Sequence, residues 1–174
     1  MEPQRHNGAV RIRISQPSTG LHEYHLTSYP SDIGLESNFK KMVDIKVALD
    51  KTPRQIFLKA HIHSSGVFTC DRCVDEFEQH IENSYTMFYV YHDLDPGKYD
   101  AHEVQVISPD TAYIDLTEDI RQTIMLAVPL KLLCREECKG LCPRCGTNLN
   151  HEMCSCQVET ENSHWQDLKD LLNN

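Results

Sequence analysis

Eight cysteines arranged as four close pairs constrain this chain more than any other feature of it. Six fall in one run, Cys134-x3-Cys138-x3-Cys142-x2-Cys145-x8-Cys154-x-Cys156, and Cys70-x2-Cys73 stands apart. Free thiols at this density are an oxidation liability, so disulfides or metal must account for them. The spacing favours metal. Two cysteines separated by two residues can point both sulfurs at one ion about 2.3 Å away, and four such sulfurs complete a tetrahedral zinc site. Eight fill two structural zinc sites with none left over. A catalytic zinc would keep one position open and favour His or carboxylate ligands.

Cys142-Pro143-Arg144-Cys145-Gly146 has the form of a tight knuckle in which backbone N–H groups face the sulfurs. Its natural partners are Cys154 and Cys156, across a gap in which Asn148-Leu149-Asn150 supplies a turn and an apolar anchor. The remaining four, Cys70, Cys73, Cys134 and Cys138, would then form a site joining segments some 60 residues apart. Two alternatives stay open: Cys138 in place of Cys154 in the knuckle site, and His151 as a substitute ligand.

Periodicity places the cysteines on a β-rich framework. Leu21 to Leu26 reads as a strand. Val43, Ile45, Val47 and Leu49 alternate with Asp44 and Lys46, and Lys51-Thr52-Pro53 breaks that run. Ile56, Leu58, Ala60 and Ile62 repeat the pattern, with Ser64-Ser65-Gly66 as the expected end of their strand. Phe77 to Tyr91 is a long aromatic-rich strand, Asp93 to Gly97 a loop, and Val104 to Ile107 a short strand. Leu116, Ile120, Ile124 and Ala127/Val128 form a helical stripe with Asp115 or Thr117 as cap and Pro129 as stop. After a polar joint, Trp165, Leu168, Leu171 and Leu172 suggest a short amphipathic helix. The expected class is α+β: a mainly antiparallel sheet domain over 1–133 with one core helix near 116–128. A cysteine-rich zinc module over 134–156 packs on it through 70–73, and 157–174 holds the joint and terminal helix.

The chain carries 17 Lys and Arg against 26 Asp and Glu, a net charge of −9. That excludes binding to nucleic acid by diffuse phosphate neutralisation. The charge is uneven, however. Arg72, Lys131, Arg135, Lys139 and Arg144 gather around the cysteines with only Glu136 and Glu137 between residues 131 and 145, and these five form the candidate contact surface. His61-x-His63 reads as a solvated strand face, and His92 and His102 as loop residues. No Ser-His-Asp order, phosphate loop or paired carboxylates argue for an enzyme or a small-molecule substrate. The opening residues lack a secretory core, and no run nears the ~18 apolar residues of a membrane span. The reading is cytoplasmic, where thiols stay reduced and grouped cysteines hold metal.

Cys70-Asp-Arg-Cys73-Val-Asp-Glu-Phe77, then Leu133-Cys134-Arg-Glu-Glu-Cys138-Lys-Gly-Leu-Cys142-Pro-Arg-Cys145-Gly-Thr-Asn-Leu-Asn150 and Cys154-Ser-Cys156, resembles the YceD-like family of large ribosomal RNA subunit accumulation proteins. The resemblance spans about Met42 to Cys156. It implies a factor without established catalytic activity, needed for accumulation or processing of large-subunit ribosomal RNA. The resemblance does not give its partner; the reading adopted is a non-enzymatic assembly factor that contacts a ribosomal protein or pre-ribosomal RNA of the large subunit. The alternative reading is a redox-responsive zinc protein whose thiols switch partner binding on oxidation.

Overall fold

The computed structural model describes residues 4–5, 8–91 and 104–156. The expected loop at Asp93–Gly97, His92, His102 and the terminal helix around Trp165 lie outside the described residues. Eight strands and one α-helix follow in chain order: β1 Gln4–Arg5, β2 Arg11–Arg13, β3 Gly20–Ser28, β4 Val43–Lys51, β5 Gln55–Thr69, β6 Glu76–Tyr91, β7 Val104–Ile107, β8 Tyr113–Asp115 and α1 Thr117–Ala127. A 3-10 turn at Pro30–Ile33 joins β3 to the segment before β4. The fold is mainly β-sheet with one helix among the described residues, consistent with α+β.

The chain divides into two compact units. The first comprises Met1–Phe68 and Phe77–Lys131, and the second Thr69–Glu76 and Leu132–Asn174.

In the first unit, one sheet of six strands runs in the order β1-β3-β4-β5-β6-β7 and a small pair joins β2 to β8. Alternation decides which face of each strand is buried, because successive side chains point to opposite faces. Leu26, Ile45 and Ile62 lie in one cross-strand row, and Val47 with Ala60 and Leu49 with Leu58 in the rows beside it. All seven are buried. The helix closes this apolar face: Ile120 and Ile124 belong to the same core cluster.

The sheet pairs antiparallel through β3, β4 and β5, and parallel at its two edges. The β3–β4 and β4–β5 pairs are antiparallel, whereas β1–β3 and β6–β7 are parallel.

Of the two capping candidates, Asp115 serves the helix start: its Oδ1 accepts the Thr117 N–H at 3.0 Å, one of the first-turn N–H groups without a partner inside the helix. Thr117 does not cap; its Oγ1 accepts the Val10 N–H at 2.9 Å. In the first turn, Glu118 takes hydrogen bonds from Arg121 and Gln122, which lower its carboxyl to about 2.

β5 also does not end at Ser64-Ser65-Gly66; it runs on to Thr69, which carries the chain directly into Cys70. The small residues are there for close approach. Gly66 bridges to Phe39, and Val67 N–H donates to Asn38 O at 2.9 Å, so a second segment lies against the strand. The rings of Phe39 and Phe68 meet edge-to-face at 5.8 Å over this spot. A Cβ at Gly66 would lie 2.7 Å from Phe68 Cε2 and 3.4 Å from Phe39 Cδ1. Glycine inside a strand commonly marks such an approach. Gly66→Ala is therefore expected to destabilise the first unit by about 1–3 kcal/mol, the usual cost of overpacking. Urea denaturation followed by far-UV circular dichroism checks it, and an unchanged midpoint would contradict it.

Candidate metal centres

The cysteines converge as two groups of four, and both groups lie wholly within the second unit. Cys70, Cys73, Cys134 and Cys138 make one, and Cys142, Cys145, Cys154 and Cys156 the other. Within each, all sulfurs lie within 4.8 Å of one another. Cys138 therefore stands with the first group and not with the knuckle. His151 joins neither; its Nε2 is 2.9 Å from Asp75 Oδ2.

The sulfur separations discriminate between the two chemistries. Cys70 Sγ lies 3.8 Å from Cys138 Sγ, and Cys73 Sγ 3.7 Å from Cys134 Sγ. A disulfide needs about 2.05 Å. A tetrahedron with metal–sulfur bonds of about 2.3 Å has edges of about 3.8 Å. Both groups could hold metal ions.

Each group is built on the same backbone device. In the first, Cys70 N–H donates to Asp75 O at 2.9 Å and Val74 N–H to Cys70 O at 2.9 Å. In the second, Cys142 N–H donates to Thr147 O at 2.8 Å and Gly146 N–H to Cys142 O at 2.9 Å. The residue after the second cysteine is left-handed in both, Val74 at φ 63° and Gly146 at φ 75°. These turns aim N–H groups back at sulfur, which favours the thiolate.

Thiol ionisation follows from that aim. Burial opposes ionisation of Cys70, but N–H groups of Cys134, Arg72 and Cys73 prevail and bring it down to about 6. Burial likewise opposes ionisation of Cys138, where the Asn150 amide prevails and lowers the thiol. In the second group, the N–H groups of Cys145 and Arg144 lower Cys142, and Thr147 holds Cys145 at about 6. The other members go the opposite way. Burial is the largest influence raising Cys73 and Cys134, and the neighbouring Cys145 side chain pushes Cys156 up to about 12. Cys154 is also raised: the N–H of Cys156 favours its thiolate, but hydrogen bonding to Cys142 and burial together outweigh it. Two thiols ionise easily in each group and two resist. A divalent cation among them would supply the missing positive charge and favour all four thiolates.

Supporting groups surround the first centre. Arg72 Nη1 donates to Glu136 O and Cys138 O, each at 3.1 Å, fixing the segment that carries Cys138. Gly140 sits at φ 75° where a Cβ would come within 3.0 Å of Arg72 O, so this position requires glycine. Asp75 is held below the usual carboxylate range by the Asn148 amide and by His151.

The five basic residues of the candidate contact surface divide accordingly. The Arg72 guanidinium is committed to backbone carbonyls, and Arg135 Nη2 donates to Asn150 Oδ1 at 2.8 Å. Lys139 and Arg144 are exposed in the second unit, and Lys131 is exposed in the first. Sequence reasoning read Asn148 and Asn150 only as turn residues. Their type and their place between two ligand pairs were the available signal.

Histidines elsewhere form no ligand cluster among the described residues. His61 is exposed on its strand, His63 Nε2 lies 3.8 Å from Glu82 Oε1, and His25 pairs with Asp44. No helix among the described residues is long and apolar enough to cross a membrane.

Comparison with known proteins adds a family. The model of the family described as large ribosomal RNA subunit accumulation protein YceD matches residues 58–172, a range that contains all eight cysteines. An uncharacterized protein of Mycobacterium tuberculosis is 25% identical over 165 residues, covering 92% of this chain and 78% of that protein. A chloroplastic protein of Arabidopsis thaliana named large ribosomal RNA subunit accumulation protein YCED homolog 1 is 33% identical over 63 residues, 36% of this chain and 20% of its own. Its namesake in Zea mays is 44% identical over 45 residues, 25% of this chain and 15% of its own. No solved structure matches.

The duplicated knuckle yields a paired test. A β-branched residue at positive φ is strained by about 1–3 kcal/mol, whereas glycine is at ease there. Gly146→Val should destabilise the second unit by about that amount. Val74→Gly should raise stability despite a backbone-entropy cost of about 1 kcal/mol. Thermal unfolding at equal metal content measures both, and a destabilised Val74→Gly would mean that the valine side chain holds the turn.

Proposed function

We propose, because this chain belongs to the family of large ribosomal RNA subunit accumulation proteins YceD, that it acts in the accumulation of large-subunit ribosomal RNA as a non-enzymatic assembly factor. The observation that carries the reading is the family match over residues 58–172, which takes in both four-cysteine groups. The two centres hold zinc in this reading. All-sulfur donor sets with no open position suit a structural zinc ion, which supplies folding energy and no chemistry of its own. Metal analysis of reduced protein from zinc-replete cells should give two zinc ions per chain, lost as pH falls because protons compete for the thiolates. Fewer than two in reduced protein would contradict it.

The partner is a ribosomal protein or pre-ribosomal RNA of the large subunit. An acidic chain binds either through a local departure from its average charge, since diffuse attraction to phosphate is unavailable to it. Lys139 and Arg144 supply that departure, because their side chains are exposed on the segments that carry Cys138, Cys142 and Cys145. Arg72 and Arg135 instead support the metal centre. A thiol-switch role has no finding in its favour: Cys145 is exposed, but a thiolate bound to zinc in a closed four-sulfur site is a poor nucleophile toward oxidants.

Lys139→Glu together with Arg144→Glu should leave zinc content unchanged while lowering mature large-subunit ribosomal RNA in cells that depend on this protein. Northern analysis of those cells reads it out. Normal ribosomal RNA with normal protein levels would move the contact surface elsewhere.

A further inference from the structure

By sequence, the loop from Cys145 to Cys154 belongs to the second centre, yet its middle is bound to the first. Asn150 Nδ2 donates to Cys138 Sγ at 3.3 Å and to Asn148 Oδ1 at 2.9 Å. Asn150 Oδ1 accepts from Arg135 Nη2 at 2.8 Å and from Lys139 N–H at 3.0 Å. Asn148 Nδ2 donates to both Asp75 oxygens, at 3.0 and 2.9 Å, and to Cys73 O at 3.4 Å. Its Oδ1 also accepts the Asn150 N–H at 3.0 Å. Between them, Leu149 N–H donates to Gly140 O at 2.9 Å. The three-residue segment thus touches a ligand sulfur, a ligand carbonyl and the turn of the first centre. Both ends of its loop are fixed by ligands of the second.

We infer that Asn148-Leu149-Asn150 couples the two centres, so that an ion held by Cys142, Cys145, Cys154 and Cys156 raises the affinity of Cys70, Cys73, Cys134 and Cys138 for their own ion. The inference rests on the reading that both groups bind metal. An ion at the second centre closes the loop and orders the asparagines in place. The first centre then binds without the entropic cost of ordering them. By linkage the effect is reciprocal: an ion at the first centre tightens the second by the same factor. The asparagines act as positioning residues. Loss of such hydrogen bonds around a ligand typically weakens metal affinity about 10–100-fold.

The test uses the full chain, reduced and metal-free, titrated with Zn²⁺ against a chromophoric chelator and with Co²⁺, whose absorption reports tetrahedral thiolate coordination. Cys145→Ser/Cys154→Ser removes the second centre and should leave one ion bound, about 10–100-fold more weakly than wild type binds at the first centre. Asn148→Ala/Asn150→Ala keeps all eight thiols and should bind two ions, with the first-centre affinity already reduced. Combining both pairs should reduce it no further than the asparagine pair alone, within about twofold. This last result separates coupling through the segment from direct Coulomb interaction between centres, which would survive the asparagine changes. Wild-type affinity at the first centre in Cys145→Ser/Cys154→Ser overturns the coupling but leaves two zinc ions in place. No metal at either centre of the wild-type chain overturns both. Because the asparagine pair retains every ligand, a serine variant that fails to fold leaves the inference testable.

Discussion

Four sulfurs within 4.8 Å of one another cannot all ionise without a cation among them, and the second unit is organised around that constraint. Among the described residues of that unit the buried hydrophobic ones are the cysteines Cys70, Cys73, Cys138 and Cys142, whereas the aliphatic core cluster lies in the first unit. The split between easily ionised Cys70, Cys138, Cys142 and Cys145 and the four resistant thiols is what such a site looks like before the cation's field is added. The backbone stabilises two thiolates per centre, and a bound ion would have to secure the other two. Val74 fits the same logic. A strained φ of 63° is tolerated where the turn it completes directs N–H groups at a ligand sulfur.

The sequence revealed this unevenly, and the physics explains where. Strict alternation in β4 and early β5 made their buried faces readable, because one face meets the core and the other meets water. The same reasoning ended β5 too soon. Ser64-Ser65-Gly66 has the composition of a turn, and only the packing of Phe39 and Phe68 over Gly66 accounts for its extended backbone. Parallel edge pairings of β1 and β7 depend on non-local register, which a local pattern does not encode. The grouping of Cys70 and Cys73 with Cys134 and Cys138 was legible by elimination once the knuckle took the other four. The roles of Arg72 and Arg135 were not. Charge on a sequence does not distinguish a side chain that meets a partner from one that meets a carbonyl 64 residues away.

That distinction changes what the basic character of the cysteine segment means. Arg72 bridges two carbonyls and Arg135 anchors Asn150, so part of the local positive charge serves the ligand framework itself. Arginine suits this because its planar fork donates in several fixed directions and keeps its charge. Beside sulfurs that carry net negative charge when loaded, a guanidinium also offsets like-charge repulsion. On the proposed reading, a contact surface on the second unit would use the exposed Lys139 and Arg144, with Glu136 and Glu137 exposed nearby in sequence. Such a mixed patch would favour specific placement over broad electrostatic capture.

The two centres also differ in access, and the difference gives their coupling a direction in time. Cys70, Cys73 and Cys138 are buried and Cys134 is half-buried, whereas Cys145 is exposed and Cys154 and Cys156 are half-buried. Equilibrium linkage is symmetric, but exchange is governed by which ion solvent ligands can reach. The second centre is the accessible one, and its loop carries the asparagines that brace the first. A competing chelator would therefore meet the exposed centre first, and removal of that ion would loosen the hydrogen bonds on Cys138 and Cys73. The buried centre would then lose its own ion in consequence, not by direct attack. On this account the Asn148-Leu149-Asn150 segment lets the exposed centre determine how long the buried one keeps its ion.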